Sequence, residues 1–235
     1  MQITELPPPP AADYRFDFDS NIHHLKPNLI SEWFTDDDVW VFFTHVFSFS
    51  NCYFFDSVDS YILSLGLSSL SKLGICPVEL VEYKLIFFPL NMRDMHWTLF
   101  VIEPSSNRCF FLDSLSSKSF HRETITMANV LHRIITSETS LKNLSPPTEY
   151  NLPYAKQNNT VDCGPFICGF AEKLALGENL LNIDTTRIRF LTYSLLPSTS
   201  IEPFFRGGGD QNEPSPPLIS THLLRFDHSH ISTYA

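Results

Sequence analysis

Cys163 lies within the stretch TVDCGPFICGF, residues 160–170, at the start of a segment whose apolar residues repeat with helical spacing. A thiolate is a strong nucleophile, and a helix N-terminus with a nearby imidazole lowers the pKa of a thiol into the useful range. The Gly-Pro pair that follows suits this position, because glycine leaves backbone amides open to a ligand and proline is tolerated in a first helical turn. A single cysteine is more often a buried core residue, so the assignment of Cys163 as a nucleophile depends on its partners.

Three further side chains could complete a site built around this thiol. A cysteine nucleophile needs a base that holds the imidazole–thiolate pair, a carboxylate that orients the base, and a donor for the oxyanion of the tetrahedral intermediate. His96 and Asp113 lie seventeen residues apart, and Gln157 lies six residues before Cys163. The chain therefore offers one residue of each required type.

Two predicted strands bring the base and the carboxylate together. Residues 96–103 (HWTLFVIE) and 108–115 (RCFFLDSL) are rich in apolar residues and are joined by PSSN, which predicts an antiparallel hairpin. Counting back from this loop places Thr98 opposite Asp113. His96 and Asp113 are then diagonal neighbours on one face, within reach of each other across the strands.

Helices and shorter strands are predicted around this hairpin. Thr35 can cap a helix whose first turn holds three aspartates, which complement the positive end of the helix dipole. The buried stripe of that helix is expected to consist of Val39, Phe42, Phe43, Val46 and Phe47. The remaining expected elements are a helix over 56–67, a strand over 83–90, a helix over 121–137, a short strand over 148–156, and a helix over 163–176 closed by Gly177.

The composition predicts a single folded domain. A chain of 235 residues with 43% hydrophobic and 14% aromatic residues can build one sizeable core. We expect the domain over residues 28–197, after an extended lead-in over 1–27 that contains four consecutive prolines. Residues 198–235 are predicted to be a disordered tail, because their Gly and Pro clusters show no sustained apolar period.

Charge and cysteine usage disfavour several classes of partner. The net charge of −10 and the lack of a basic cluster argue against nucleic acid. The five cysteines form no C-x-x-C pair, which favours free thiols over a structural metal site, and no metal or other cofactor is expected. No stretch of about 18 apolar residues occurs, so no membrane association is expected. Free thiols favour a reducing compartment, the cytoplasm or the nucleus.

Three segments together resemble one family of enzymes. DMHWTLFVIEP, FFLDSL and QNNTVDCGPFIC follow one another in the order and with the spacing of the ubiquitin-like-protein-specific proteases, the Ulp/SENP cysteine peptidases, and the resemblance covers residues 28–195. It implies an α+β papain-like fold, with a small central antiparallel sheet and the helix of the nucleophile packed against it. It also implies His96 as base, Asp113 as the orienting carboxylate, Cys163 as nucleophile and Gln157 as oxyanion donor.

The resemblance extends to residues that would bind the substrate. The stretch EWFTDDDV is similar to the family's Trp-Leu-Asn-Asp signature. By this resemblance Trp33 and Trp97 would line the channel for a diglycine tail, and Asp36 would contact the modifier. Two positions depart from the family pattern, since Thr35 replaces an asparagine and Thr160 replaces a serine.

The function implied by the resemblance is hydrolysis of the peptide or isopeptide bond after the C-terminal Gly-Gly of a ubiquitin-like modifier. The short single-domain organisation of the chain is most similar to the deneddylase branch of the family, and a SUMO-specific protease is the close alternative. The expected partners are therefore the neddylation modifier or SUMO and its conjugates. We expect a monomer. Two alternative hypotheses are an acyltransferase of the same clan and a catalytically dead module that binds a modifier. The presence of all four expected catalytic residues, His96, Asp113, Gln157 and Cys163, disfavours the second.

Overall fold

The computed structural model describes residues 32–47, 50–115 and 117–195. The predicted lead-in over 1–27 and the predicted tail over 198–235 lie outside these ranges. Among the helices of the described ranges, none combines the length and the apolar character needed to cross a bilayer.

A five-stranded mixed sheet lies at the centre of the described fold, with its strands in the order β1-β2-β3-β4-β5. The bounds are β1 (Cys52–Phe54), β2 (Leu85–Met92), β3 (His96–Glu103), β4 (Arg108–Leu112) and β5 (Thr148–Glu149). Strands β2, β3 and β4 pair antiparallel, while β1 pairs with β2 and β5 with β4 in parallel. The predicted α+β fold is confirmed, and the two short edge strands make the sheet mixed rather than purely antiparallel.

Alternate residues of β2 supply two hydrophobic cores, one on each face of the sheet. Leu85 and Phe87 belong to the first core, and Ile86 and Phe88 belong to the second. This alternation follows from strand geometry, in which successive side chains point to opposite faces. Because helices cover both faces, β2 and β3 appear in the sequence as nearly continuous apolar runs.

The described part of the chain contains six α-helices. They are α1 (Asp36–Phe47), α2 (Ser57–Ser64), α3 (Pro77–Leu80), α4 (Lys118–Glu138), α5 (Cys163–Leu176) and α6 (Thr185–Leu195). Residues of α1, α5 and α6 contribute to the first core, and residues of α2 and α4 contribute to the second. The nucleophile candidate thus stands at the first residue of a helix that packs on the sheet.

The start of α1 is capped as predicted, and the cap is reciprocal. The backbone N–H of Thr35 donates to the Asp38 carboxylate at 2.7 Å, and the backbone N–H of Asp38 donates to the Thr35 hydroxyl at 3.3 Å. Such a pair satisfies two of the N–H groups that a helix start leaves unpaired. Of the predicted stripe, Val39, Phe42 and Phe43 are buried and Val46 is half-buried, whereas the side chain of Phe47 lies outside the described part.

Several predicted boundaries are wrong. The helix expected to run to residue 67 ends at Ser64, and the chain then turns through Gly66 with a φ of +71°. The strand expected to reach 115 ends at Leu112. The strand expected over 148–156 shrinks to two residues, because the backbone N–H groups that follow it bond to separate segments, to Phe111, Leu180 and Ser114. Strand β1 and helices α3 and α6 were not predicted.

Candidate active site

His96 and Asp113 form the buried contact that the hairpin predicts. The register pairs Glu103 with Arg108 across the loop, as expected. The Nε2 atom of His96 lies 2.7 Å from the Oδ1 atom of Asp113, and the two side chains are only 1% and 3% exposed. The predicted contact between base and carboxylate is confirmed.

Asp113 is fixed through its carboxylate and its backbone. The pairing of β3 with β4 ends one residue earlier, so Asp113 leaves the sheet while β3 continues to pair with β2. Its Oδ1 atom also accepts from the backbone N–H of Leu115 at 2.8 Å. Its carbonyl oxygen accepts from Lys156 Nζ at 2.8 Å and from the Tyr154 hydroxyl at 3.1 Å. These contacts hold the carboxylate in place beneath the imidazole, as an orienting residue requires.

Cys163 completes the group from the opposite side of the imidazole. It is the first residue of α5 and is 1% exposed, and its side chain hydrogen-bonds His96. Because Nε2 of His96 faces Asp113, Nδ1 is the ring nitrogen left for the thiol. The order Cys163, His96, Asp113 is the arrangement that a cysteine nucleophile, its base and the orienting carboxylate need.

The imidazole of His96 is held in its charged form. Burial, the largest single influence, lowers its pKa, but hydrogen bonds and charge interactions with Asp113 and Cys163 outweigh burial and raise the pKa of His96 to about 9. An imidazolium next to a thiol favours the thiolate, which is the nucleophilic form. The raised pKa of His96 therefore places a positive charge beside the Cys163 side chain at neutral pH.

Gly164, the residue after the nucleophile, is required by packing. A Cβ atom at this position would lie 2.4 Å from the Cβ of Phe34, closer than such atoms approach in proteins. The sequence interpretation, in which glycine mainly exposes backbone amides, missed this contact. The segment that contains Phe34 therefore lies directly on the first turn of α5.

Gln157, the predicted oxyanion donor, is held by Ser114. Its backbone N–H donates to the Ser114 carbonyl at 2.9 Å, and its Oε1 atom accepts from the Ser114 hydroxyl at 2.5 Å. Its Nε2 group donates to the carbonyl of Asn159 at 2.7 Å. One of the two Nε2 hydrogens suffices for that bond, and the other is available to a ligand.

The three predicted substrate-binding residues lie in different surroundings. Trp33 is 40% exposed, next to the segment that packs on α5, whereas Trp97 is 2% exposed and belongs to the first core. The indole N–H of Trp97 donates to the carbonyl of Phe34 at 3.0 Å, so it supports the segment that carries Trp33. Asp36 is exposed and accepts from the hydroxyl of Ser57 at 2.5 Å.

Sequence reasoning missed two residues that hold the predicted site. Ser114 follows Asp113 directly, so the Asp-Ser pair of the motif already contained the signal for it. Arg189, in α6, is 3% exposed and donates to the carboxylate of Asp162, the residue before Cys163. Arg189 lies 27 residues after that aspartate, and no local pattern links the two.

The other thiols have surroundings unlike that of Cys163. Cys168 is fully buried, and burial raises its pKa well above the ordinary value. Burial also raises the pKa of Cys109 to about 12, and a hydrogen bond with the Ser145 side chain opposes this shift. Within the described ranges, no group of three or more His, Cys, Asp or Glu side chains is arranged to hold a metal ion.

Comparison with known proteins shows which family part of the chain is similar to. A family model described as the Ulp1 protease family, C-terminal catalytic domain, matches residues 77–191, which include His96, Asp113, Gln157 and Cys163. The matched part of the chain is similar to the catalytic domain of the Ulp1 protease family. A putative ubiquitin-like-specific protease 1B from Arabidopsis thaliana is 28% identical over 171 residues, which cover 68% of this chain and 47% of that protein.

A second family relative is longer still. The NEDD8-specific protease 1 of Schizosaccharomyces pombe is 27% identical over 133 residues, covering 53% of this chain and 26% of that protein. The chain thus matches less than half the length of these two Ulp1-family relatives.

Solved structures of the Ulp1 family share this fold. The SUMO protease Ulp1 with its catalytic cysteine oxidised to a sulfenic acid has a TM-score of 0.57 and 20% identity, covering 70% of this chain and 78% of that chain. The Ulp1 protease domain in complex with Smt3, the yeast ortholog of SUMO, has a TM-score of 0.57 and 19% identity, covering 69% and 76%. Because the sequence identity is this low, the structural similarity shows a shared fold alone.

Proposed function

We propose that this protein is a cysteine protease that hydrolyses the bond after the C-terminal Gly-Gly of a ubiquitin-like modifier. The observation that carries the proposal is the buried group in which His96 contacts both Asp113 and Cys163. The match of residues 77–191 to the catalytic domain of the Ulp1 protease family supports the substrate class. The proposal covers peptide bonds in precursors and isopeptide bonds to lysine side chains, since both are amides of the terminal glycine.

Acylation follows from the geometry. In the reactive form His96 already holds the proton of the Cys163 thiol, and the thiolate attacks the carbonyl carbon of the terminal glycine. The oxyanion that forms accepts a hydrogen bond from the Nε2 group of Gln157. His96 then returns the proton to the leaving amine, the C–N bond breaks, and a thioester joins Cys163 to the modifier.

Deacylation uses the same residues in reverse order. His96, now neutral, takes a proton from water, and the hydroxide attacks the thioester carbonyl. Collapse of the second tetrahedral intermediate breaks the C–S bond and releases the modifier with a free carboxylate. Asp113 stabilises the imidazolium in both half-reactions and keeps its Nε2 side occupied, so that proton transfer takes place at Nδ1.

The modifier is proposed to be the neddylation modifier, with SUMO as the alternative. The match to a NEDD8-specific protease supports the first, and the fold shared with a SUMO-bound Ulp1 domain supports the second. A diglycine tail has no side chains, so recognition must rely on its backbone and on a slot too narrow for larger residues. Trp33, an exposed indole whose neighbour Phe34 packs against Gly164, is proposed as a wall of that slot.

Modifier–propargylamide probes test the function directly. We expect one modifier, with its C-terminal glycine converted to a propargylamide, to form a covalent adduct with Cys163, seen as a mass increase of the intact protein. Cys163→Ala should form none, and Cys76→Ala, which changes an exposed cysteine, should react like the parent protein. If the parent protein binds a modifier but forms no adduct, it is a binding module. If it reacts with none of the probes, the proposal is overturned.

We also propose that the protein acts as a monomer in the cytoplasm or nucleus and does not bind nucleic acid. All four proposed catalytic residues come from one chain, and the five cysteines are free. The net charge of −10 disfavours a phosphate backbone as partner. Light scattering after size exclusion tests the first point, since a mass near twice 26.9 kDa would contradict it.

A further inference from the structure

We propose that Ser114 is a positioning residue that orients the carboxamide of Gln157 as the oxyanion donor. The inference rests on the proposed function, in which that carboxamide stabilises the tetrahedral intermediate. Ser114 is fully buried and contacts Gln157 twice, through its carbonyl and through its hydroxyl. The preceding residue, Asp113, orients the base His96. Two consecutive residues would therefore position the base and the oxyanion donor.

The hydrogen bonds of Gln157 agree on one orientation of its carboxamide. The Asn159 carbonyl can only accept, so the end of the carboxamide that lies 2.7 Å from it must be the NH2 group. The oxygen then points toward Ser114, whose hydroxyl can donate to it at 2.5 Å. If the carboxamide were turned by 180°, its oxygen would face the Asn159 carbonyl, and two acceptors would oppose each other.

The hydroxyl of Ser114 matters because Gln157 is not otherwise confined. Gln157 is half-buried, and its neighbours Lys156 and Asn158 are exposed, so solvent can reach the loop. A glutamine side chain has several rotatable bonds, and ordering it costs up to about 2 kcal/mol of conformational entropy. A donor that is already oriented adds its full effect in the transition state, whereas a rotating donor must be ordered during the reaction.

The backbone contact anchors the loop that connects Gln157 to Cys163. Gln157 N–H binds the Ser114 carbonyl at 2.9 Å, which anchors the loop over 157–162 to the end of β4. The same loop is shaped at its far end by Asn159, whose Oδ1 atom accepts from the backbone N–H groups of Val161 and Asp162, both at 3.0 Å. Ser114 thus anchors the start of the loop that leads into Cys163.

A double-mutant cycle tests the proposal, with hydrolysis of a modifier–aminomethylcoumarin substrate as the assay. We expect Ser114→Ala to lower kcat by about tenfold or more, since misplacing a catalytic group can cost about 100-fold, and to leave KM within about twofold. In a Gln157→Ala background the same change should cost less than about twofold, because the group that it orients is gone.

Controls separate positioning from a purely structural role. Ser60→Ala removes another fully buried serine hydroxyl, for which no hydrogen-bond partner is present among the described residues, and should leave kcat unchanged. All assays are run at least 15 °C below the melting temperature of each variant, so that kcat reports on folded enzyme. Equal losses from Ser114→Ala with and without Gln157, or an unchanged kcat, would overturn the inference while leaving the active parent protein, and thus the proposed function, intact.

Discussion

Arg189 donates two hydrogen bonds to one carboxylate oxygen of Asp162, from Nε at 3.2 Å and from Nη2 at 2.7 Å. The same guanidinium donates to the Glu32 carbonyl at 2.6 Å and lies over the ring of Phe34, 5.2 Å from its centroid. A planar fork of donors can make these contacts together, whereas a lysine ammonium cannot. Arg189 therefore joins the turn before Cys163 to the segment that carries Trp33.

Removal of this arginine should destabilise the protein strongly. Both Arg189 and Asp162 are largely buried, at 4% and 13% exposure of their side chains, and breaking a buried ion pair typically costs about 3–5 kcal/mol. We expect Arg189→Ala to lower the free energy of unfolding by that amount in a urea titration. Arg187 lies in the same helix as Arg189 and forms a half-exposed ion pair with Glu172, so Arg187→Ala should cost less than about 1 kcal/mol. Equal losses from the two variants would contradict the special role of Arg189.

The pH dependence of turnover should report on His96. Its pKa is raised to about 9, so the imidazolium is present at neutral pH and is lost as the pH rises through that value. We expect kcat/KM to fall on the alkaline side with a midpoint near pH 9. Asp113→Asn should shift that limb to lower pH, because the neutral side chain no longer favours the imidazolium. A limb that stays near pH 9 in the variant would show that another group titrates there.

The same shift affects stability. A histidine whose pKa is higher in the folded than in the unfolded protein contributes stability that is fully present below its unfolded value and is lost as the pH rises through the folded one. For His96 this window runs from about 6.5 to about 9. The difference in unfolding free energy between parent and Asp113→Asn should therefore shrink over that range.

Gln157→Ala should reduce turnover without abolishing binding. Removing one oxyanion donor typically lowers kcat by about 100- to 1000-fold, and Gln157 contributes no core packing that its loss would disturb. Affinity for the modifier, measured by calorimetry on a Cys163→Ala background, should stay within about threefold. Asn158→Ala, an exposed neighbour, serves as the control. A loss in kcat below about tenfold would assign the role to a backbone amide.

The two tryptophans should respond differently to truncation. Trp33 is 40% exposed, so Trp33→Ala should keep its melting temperature within a few degrees but lose most cleavage of a Gly-Gly substrate. Trp97 is almost fully buried, and Trp97→Ala should cost about 3–5 kcal/mol of stability, as core tryptophan truncations do. Paired thermal melts and activity assays check both. A Trp33→Ala variant with full activity would remove this residue from the proposed slot.

The hairpin and the helix of the nucleophile could be predicted because their signals are local. A four-residue loop between two apolar runs sets the register that brings His96 to Asp113, and Gly177 marks the helix end. The short extent of strand β5 could not be predicted, since only two exposed residues of the expected strand pair with β4. The contact of Arg189 with Asp162 could not be predicted either, because helix packing brings the two residues together and no sequence pattern links them.

The contact between Glu32 and Arg189 spans 157 residues, nearly the whole described chain. Closing so long a loop is entropically unfavourable until the sheet and its helices have brought the two ends near each other. During synthesis, a nascent chain that has not yet released α6 from the ribosome lacks the arginine that ties the Trp33 segment to the nucleophile turn. We therefore expect the nascent polypeptide to lack the proposed protease activity until translation of this helix is complete.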